Sequence, residues 1–144
     1  MILYLETSSL VKLYVREGDS EAVRELVEVA NIVATSIVAY AEARAAFARK
    51  FREKGISAAA YRTVKDSLET DWPRFFVLNL SERTVQTAGE LAERYGLRGF
   101  DAIHLAAATD LRVGGTPGVR FETADVRLRE AARREGFETS ALSP

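Results

Sequence analysis

Residues 2–9 read ILYLETSS, and the fold turns on how that stretch is taken. Ile2, Leu3, Tyr4 and Leu5 form a run of strand length that ends directly on Glu6, followed by Thr7, Ser8 and Ser9. A surface turn would account for a carboxylate and three hydroxyls at that point. So would a metal site at the carboxyl end of a buried strand. The residues further along the chain decide between them.

Outward from that run, 7–17 has the composition of a short helix with Thr7 or Ser8 as its cap, broken at Gly18 and Asp19. Val23, Leu26, Val27 and Ala30 recur at helical spacing over 20–30. A second short strand follows at 32–35. Ser36 then opens a long helix that stops at Gly55, and Ser57 opens another that ends at Pro73. Residues 75–80 (FFVLNL) read as a third strand, and 81–95 as a helix stopped by Gly96. An alanine-rich helix is expected over 100–113, a loop at GGTPG (114–118), and a fourth strand at 119–125. A helix closed by Gly136 and an edge strand at 137–142 end the series. Short apolar strands separated by helices predict an α/β fold: a parallel sheet of four or five strands with helices on both faces. At 144 residues, without repeats or linkers, the chain is expected to be a single domain spanning 1–144.

Composition narrows the chemistry. With 47% hydrophobic and 28% charged residues, the chain has the balance of an ordinary globular protein. There is no cysteine, which excludes disulfides and thiolate zinc sites and fits a reducing, cytoplasmic setting. No apolar run approaches the ~20 residues of a membrane helix, and no basic segment suggestive of a signal peptide precedes the first strand. The net charge of −1 is shared evenly between the halves, so overall charge does not point to nucleic acid. The densest basic stretch holds Arg44, Arg49, Lys50, Arg52 and Lys54, opposed there only by Glu53; it is either a local phosphate-contacting patch or a solvated helix face.

In a parallel α/β sheet, sites form at the carboxyl ends of the strands. Glu6 ends the first strand and Asp125 follows the fourth. Asp101 opens an apolar helix, and Glu42 interrupts the apolar run SIVAYAEARAAF. Each has a simpler account: Glu6 and Asp125 as helix caps, Asp101 as a partner of the helix dipole, Glu42 as half of an ion pair with Arg44 or another base. Taken together, clustered acids repel one another, and a divalent cation is the natural counter-charge. Oxygen-only ligands favour Mg²⁺ or Mn²⁺ over zinc. Acids holding Mg²⁺ suit phosphoryl chemistry, in which the metal activates water and stabilises the leaving oxygen.

The segments YLETSSLVKLY, TSIVAYAEARAAF, GFDAIHLAAA and FETADVRLREAA, in that order, resemble the PIN-domain ribonucleases, and among them the VapC-type toxins of toxin–antitoxin pairs. The resemblance spans essentially the whole chain. It implies a PIN-like fold and Mg²⁺-dependent (or Mn²⁺-dependent) cleavage of RNA. Glu6, Glu42, Asp101 and Asp125 would be the acidic catalytic and metal-binding set, with Thr7, Ser8 and Thr123 in support. It also implies a VapB-like antitoxin, a homodimer, and surfaces that Tyr14, Val15, Tyr40, Phe47 and Phe51 would line. The family's first acid is normally aspartate. Glu6 carries one more methylene, a displacement of about 1 Å where catalytic placement tolerates about 0.5 Å. A protein of this fold that binds RNA or antitoxin without cutting, and a PIN nuclease of RNA processing, are the alternatives.

Other chemistries lack their residues. His104, the single histidine, lies three positions after Asp101 and is expected to pack within its helix. A Ser-His-Asp triad would depend on it, without a G-x-S-x-G elbow. GGTPG lacks the Lys-Ser/Thr of a phosphate-binding loop.

Overall fold

The computed structural model describes residues 1–112 and 118–144. Four strands, β1 (Ile2–Leu5), β2 (Ile32–Ser36), β3 (Phe76–Leu78) and β4 (Val119–Glu122), pair in parallel in the order β3-β2-β1-β4. β1 is central, with Tyr4 opposite Ala34 on one side and Phe121 on the other. That position explains its apolar composition, since both faces of a central parallel strand are covered.

Alternation along β1 divides the core in two. Leu3 and Leu5 face one layer, formed by α1 (Thr7–Val11), α2 (Ser20–Val29), α3 (Val38–Arg52) and α4 (Ala58–Asp71). Tyr4 faces the other, formed by α5 (Glu82–Tyr95), α6 (Gly99–Asp110) and α7 (Val126–Arg134). Its ring stacks on Phe121 at 5.2 Å. The chain steps outward from β1 to β2 to β3, then crosses back to place β4 on the far side of β1. The order in which strands are added reverses at β1, and such switch points in parallel sheets leave a crevice above the carboxyl ends of the strands, here those of β1 and β4.

Several boundaries follow the sequence signals. Ser57 accepts from the Ala60 amide at 3.0 Å and Ser81 from the Thr84 amide at 3.0 Å, capping α4 and α5. Gly96 ends α5 with φ of 64°, a conformation other residues adopt at a cost. Pro73 falls in a 3₁₀ turn, Trp72–Arg74, that stops α4.

Other expectations need correction. The helix expected over 7–17 stops at Val11. Lys12 is fully buried, and its ammonium donates to the Gly18 carbonyl at 2.8 Å and pairs with Glu17 at 3.3 Å. A buried ammonium requires such partners, and meeting them folds the chain back. Ser36 closes β2, and its hydroxyl also accepts from the Val38 amide at 3.3 Å, capping the first turn of α3 from one position before the Ile37 N-cap. Among the described residues the segment 137–142 contributes only an isolated bridge, Arg120 to Glu138. Apart from Gly118, the GGTPG loop lies outside the described residues, as does Val113, the last residue of the helix expected over 100–113.

Candidate active site at the carboxyl ends of the strands

The hydroxyls after β1 are stitches. Ser9 donates to the carbonyls of Glu6 (2.8 Å) and Glu122 (2.7 Å), and Ser8 accepts from the Ala124 amide (2.8 Å). Together they bind the end of β1 to the end of β4. Glu6 is 6% exposed and caps α1. Its Oε2 accepts from the Ser8 amide at 3.0 Å, from the Ser8 hydroxyl, and from Thr123 Oγ1 at 2.8 Å. Its Oε1 takes no hydrogen bond among the described residues. Thr123 in turn accepts from the Asp125 amide at 3.1 Å, and Asp125 Oδ1 caps α7 through the Leu128 amide at 2.8 Å. The cap readings of Glu6 and Asp125 therefore hold, yet each carboxylate keeps one oxygen free.

Asp101 lies in the first turn of α6, half-buried, and its side chain takes no hydrogen bond among the described residues. Burial pushes its carboxyl above the usual range, and the charges of Glu6 and Asp125 push the same way against weaker opposition from His104 and Arg98. Three of the four expected acids thus share one field. Asp101 and Asp125 line a pocket of about 320 Å³ together with Arg98, Val126 and Arg127.

Glu42 is held differently. Its Oε1 lies 2.6 Å from the donating Thr7 hydroxyl and 2.7 Å from His104 Nε2. Burial raises the Glu42 carboxyl, but the hydrogen bonds from His104 and Thr7 outweigh it and hold the group below the usual range. The partner weighed in sequence, Arg44, instead reaches Tyr40 Oη at 2.8 Å and Glu69 at 3.4 Å.

His104 is fully buried in α6, as a packing histidine would be, but it also links the core to the site. Nε2 faces the acceptor-only Glu42 carboxylate and so carries a proton. In the neutral ring, Nδ1 is then an acceptor for the Tyr4 hydroxyl at 2.8 Å. Burial keeps Tyr4 protonated, with the Glu6 charge adding to the effect, so the phenol has that hydrogen to give. The sequence did contain the signal: Asp101 and His104 are three residues apart, on one helix face.

The basic stretch is dispersed. Arg44 and Lys50 pair with Glu69 and Glu17, respectively. Arg49 and Arg52 lie roughly 10–15 Å further along α3 than Glu42, and Lys54 lies beyond its end. Phe47 and Val15, expected to line a docking surface, are core residues at 0% and 6% exposure; Phe51 stacks on Tyr61 at 4.9 Å.

Among the described residues no three acids or histidines are arranged to hold a metal ion as they stand. The donor set nevertheless suits a hard cation. Asp101, Asp125 Oδ2 and Glu6 Oε1 are oxygens without hydrogen-bond partners among the described residues, and around Asp101 the burial and the charges of Glu6 and Asp125 outweigh His104 and Arg98.

The family described as "PIN domain" matches residues 3–134. The chain is 37% identical over 142 residues to Ribonuclease VapC46 of Mycobacterium tuberculosis, covering 98% of each chain. It is 31% identical to Ribonuclease VapC49 of the same species, covering 94% of this chain and 92% of that one. Among solved structures it resembles FitAcB from Neisseria gonorrhoeae (TM-score 0.69, 19% identity, 96% of each chain). It also resembles VapBC2 from Rickettsia felis bound to a promoter DNA fragment (TM-score 0.66, 18% identity, 99% and 100% of the chains). At these identities the two structures speak for the fold.

Proposed function

Because the chain belongs to the PIN-domain family, we propose that it is a Mg²⁺-dependent endoribonuclease, the toxin of a type II toxin–antitoxin pair. The observation that carries this reading is the juxtaposition of Glu6, Asp101 and Asp125, each with a carboxylate oxygen that takes no hydrogen bond among the described residues, beside an open pocket that Arg98 and Arg127 also line. Relatives named ribonucleases and neighbours solved as toxin–antitoxin complexes support it.

In this reading Asp101, Asp125 and Glu6 hold Mg²⁺ (or Mn²⁺) through their unpartnered oxygens. When bound, the cation activates water and offsets the charge that builds on the scissile phosphodiester. Thr123 and Ser8 fix the Glu6 carboxylate, so its free oxygen is presented without rotamer loss. Glu42 stays ionised on Thr7 and His104, available to accept a proton from attacking water or to complete the acidic set. Hydrolysis then adds water to phosphorus and expels a ribose oxygen.

A VapB-like antitoxin and a homodimer belong to the same proposal; size exclusion with and without the co-expressed antitoxin checks both. A second reading has one observation in its favour. Glu6 Oε2 is already taken by three donors, as a helix cap would be, so a protein that binds without cutting is its natural rival.

The test is incubation of antitoxin-free protein with a mixed structured RNA and Mg²⁺ or Mn²⁺, beside Asp101→Asn and Glu6→Asp. Metal-dependent cutting lost in Asp101→Asn supports the nuclease. Activity that appears only in Glu6→Asp supports the silent copy.

A further inference from the structure

Resting on the nuclease reading, we propose that Tyr4 and His104 are positioning residues for the reaction. They form a buried relay from the central strand to Glu42, which pins Glu42 Oε1 and leaves Oε2 as the oxygen that takes the proton of the attacking water.

Tyr4 and His104 are both fully buried, while the Glu42 side chain is 33% exposed, so the relay begins in the core and ends at solvent. Its bonds all point the same way. The Tyr4 hydroxyl donates to His104 Nδ1 at 2.8 Å, and Nε2–H donates to Glu42 Oε1 at 2.7 Å. Bonds in such a chain polarise and strengthen one another in a low-dielectric interior. The imidazole is thereby held at both nitrogens, and the stack of Tyr4 on Phe121 fixes the phenol in turn. Thr7 depends on the same arrangement. Its hydroxyl has one hydrogen and two neighbours, Glu42 Oε1 at 2.6 Å and His104 Nε2 at 3.1 Å. While Nε2 carries a proton, the Thr7 hydrogen goes to Glu42, and Oε1 has two donors. With the proton on Nδ1 instead, Nε2 would compete for that hydrogen and Oε1 would keep at most one donor. Glu42 Oε2 takes no hydrogen bond among the described residues.

Packing alone does not call for the phenol. A phenylalanine would fill the same space and keep the stack on Phe121, without burying a hydroxyl that must find a partner. The other hydrogen-bonded tyrosines reach a carboxylate directly: Tyr14 reaches Asp71, Tyr40 reaches Glu69 and Tyr95 reaches Glu135. Tyr4 reaches one only through His104. Which ring nitrogen of a histidine carries the proton is set by the bond that the other makes. A residue of the core that never meets RNA thus has a hold on an acid of the site. Small displacements of a reacting group cost large factors in rate, so loss of the anchor is read in turnover more than in binding.

The test has two readouts. His104 is the single histidine, so its ring ¹⁵N and N–H signals are identified at once in metal-free protein at neutral pH. The natural chain is expected to show one sharp N–H on Nε2 and an acceptor Nδ1; in Tyr4→Phe that signal should broaden or divide between the two nitrogens. Cutting of a mixed structured RNA with Mg²⁺ is then measured as kcat and KM, per folded protein by circular dichroism. Tyr4→Phe is expected to lower kcat about 10-fold and leave KM unchanged. His104→Gln, whose amide offers a donor to Glu42 and an acceptor to Tyr4, should keep most of the parent's kcat, and His104→Leu should lose at least as much as Tyr4→Phe. Tyr95→Phe, which removes a phenol hydroxyl bonded to Glu135, should match the parent. If the natural chain cuts while Tyr4→Phe keeps the parent's kcat or its ring signals, or loses only in KM, the relay is a packing feature and the nuclease stands. If the natural chain cuts no RNA, the nuclease reading fails and takes the relay's role with it.

Discussion

Two pairs of acids meet at the sheet edge, and the protein treats them in opposite ways. Glu6 and Glu42 are tied down, one by Ser8 and Thr123, the other by Thr7 and His104. Asp101 has no hydrogen bond among the described residues, and Asp125 gives only one oxygen to its helix cap. The acidities follow the bonding: Glu42 is held below the usual range and Asp101 is pushed above it. Tied acids contribute to stability and fix geometry. Asp101, which takes no such bond, costs stability at neutral pH and adds to a field that a ligand would relieve.

Removing an open acid should therefore separate activity from stability most sharply. Asp101→Asn is expected to cut RNA about 10³-fold more slowly, read from initial rates with Mg²⁺. Its Tm should be unchanged or raised by up to ~3 °C. The sign follows from linkage. A carboxyl whose folded pKa is raised favours the native state below its unfolded value, and that advantage is lost as pH rises through the folded value. At neutral pH the ionised group is a cost, so its removal helps; below pH ~3.8 the gain should vanish. A clear loss of Tm at neutral pH would break the contrast.

Releasing a tied acid should do the reverse. His104→Leu leaves Tyr4 Oη and Glu42 without their partner, and about 2–4 kcal/mol of stability should go, measured by urea titration. With the histidine gone, burial dominates and the Glu42 carboxyl should climb, which carboxyl NMR would follow. In the parent, Glu42 stabilises the fold above its unfolded pKa, and that contribution is lost as pH falls through its lowered folded value. His104→Leu should flatten this acid limb. A Glu42 that titrates as before would show that Thr7 alone sets it.

Glu6→Ala orphans the Thr123 and Ser8 donors and removes the α1 cap, with an expected loss of about 2 kcal/mol. The smallest effect belongs to Arg44, whose contacts with Glu69 and Tyr40 are largely solvated. Arg44→Ala should cost less than ~0.5 kcal/mol and leave both acid pairs undisturbed.

Much of this was legible in the chain itself. ILYL followed by an acid and hydroxyls does mark the end of a buried strand, and the α/β order and serine caps follow from periodicity and local hydrogen-bonding rules. The errors share a cause. Phe47, which by its sequence suits either a core or a docking surface, goes to the core, and Val15 goes with it, once α1–α4 pack on the sheet. Segment 137–142 has strand composition but only one bridge partner. The helix expected over 7–17 stops at Val11, because the buried Lys12 ammonium meets Glu17 and the Gly18 carbonyl.

The sequence by itself determined which residue types stand at the strand ends and helix starts, because those preferences are set by neighbours within a few positions. Only the tertiary structure decided which acid meets which partner. Glu6 and Thr123 are 117 residues apart, Tyr4 and His104 are 100, and Glu42 and His104 are 62. A carboxylate's charge state depends on burial and on groups within a few ångströms, and no local pattern carries that distance. The same carboxylate chemistry therefore took different hydrogen-bonding states only when β4 came to lie beside β1 and α3 and α6 met α1 at the end of that strand.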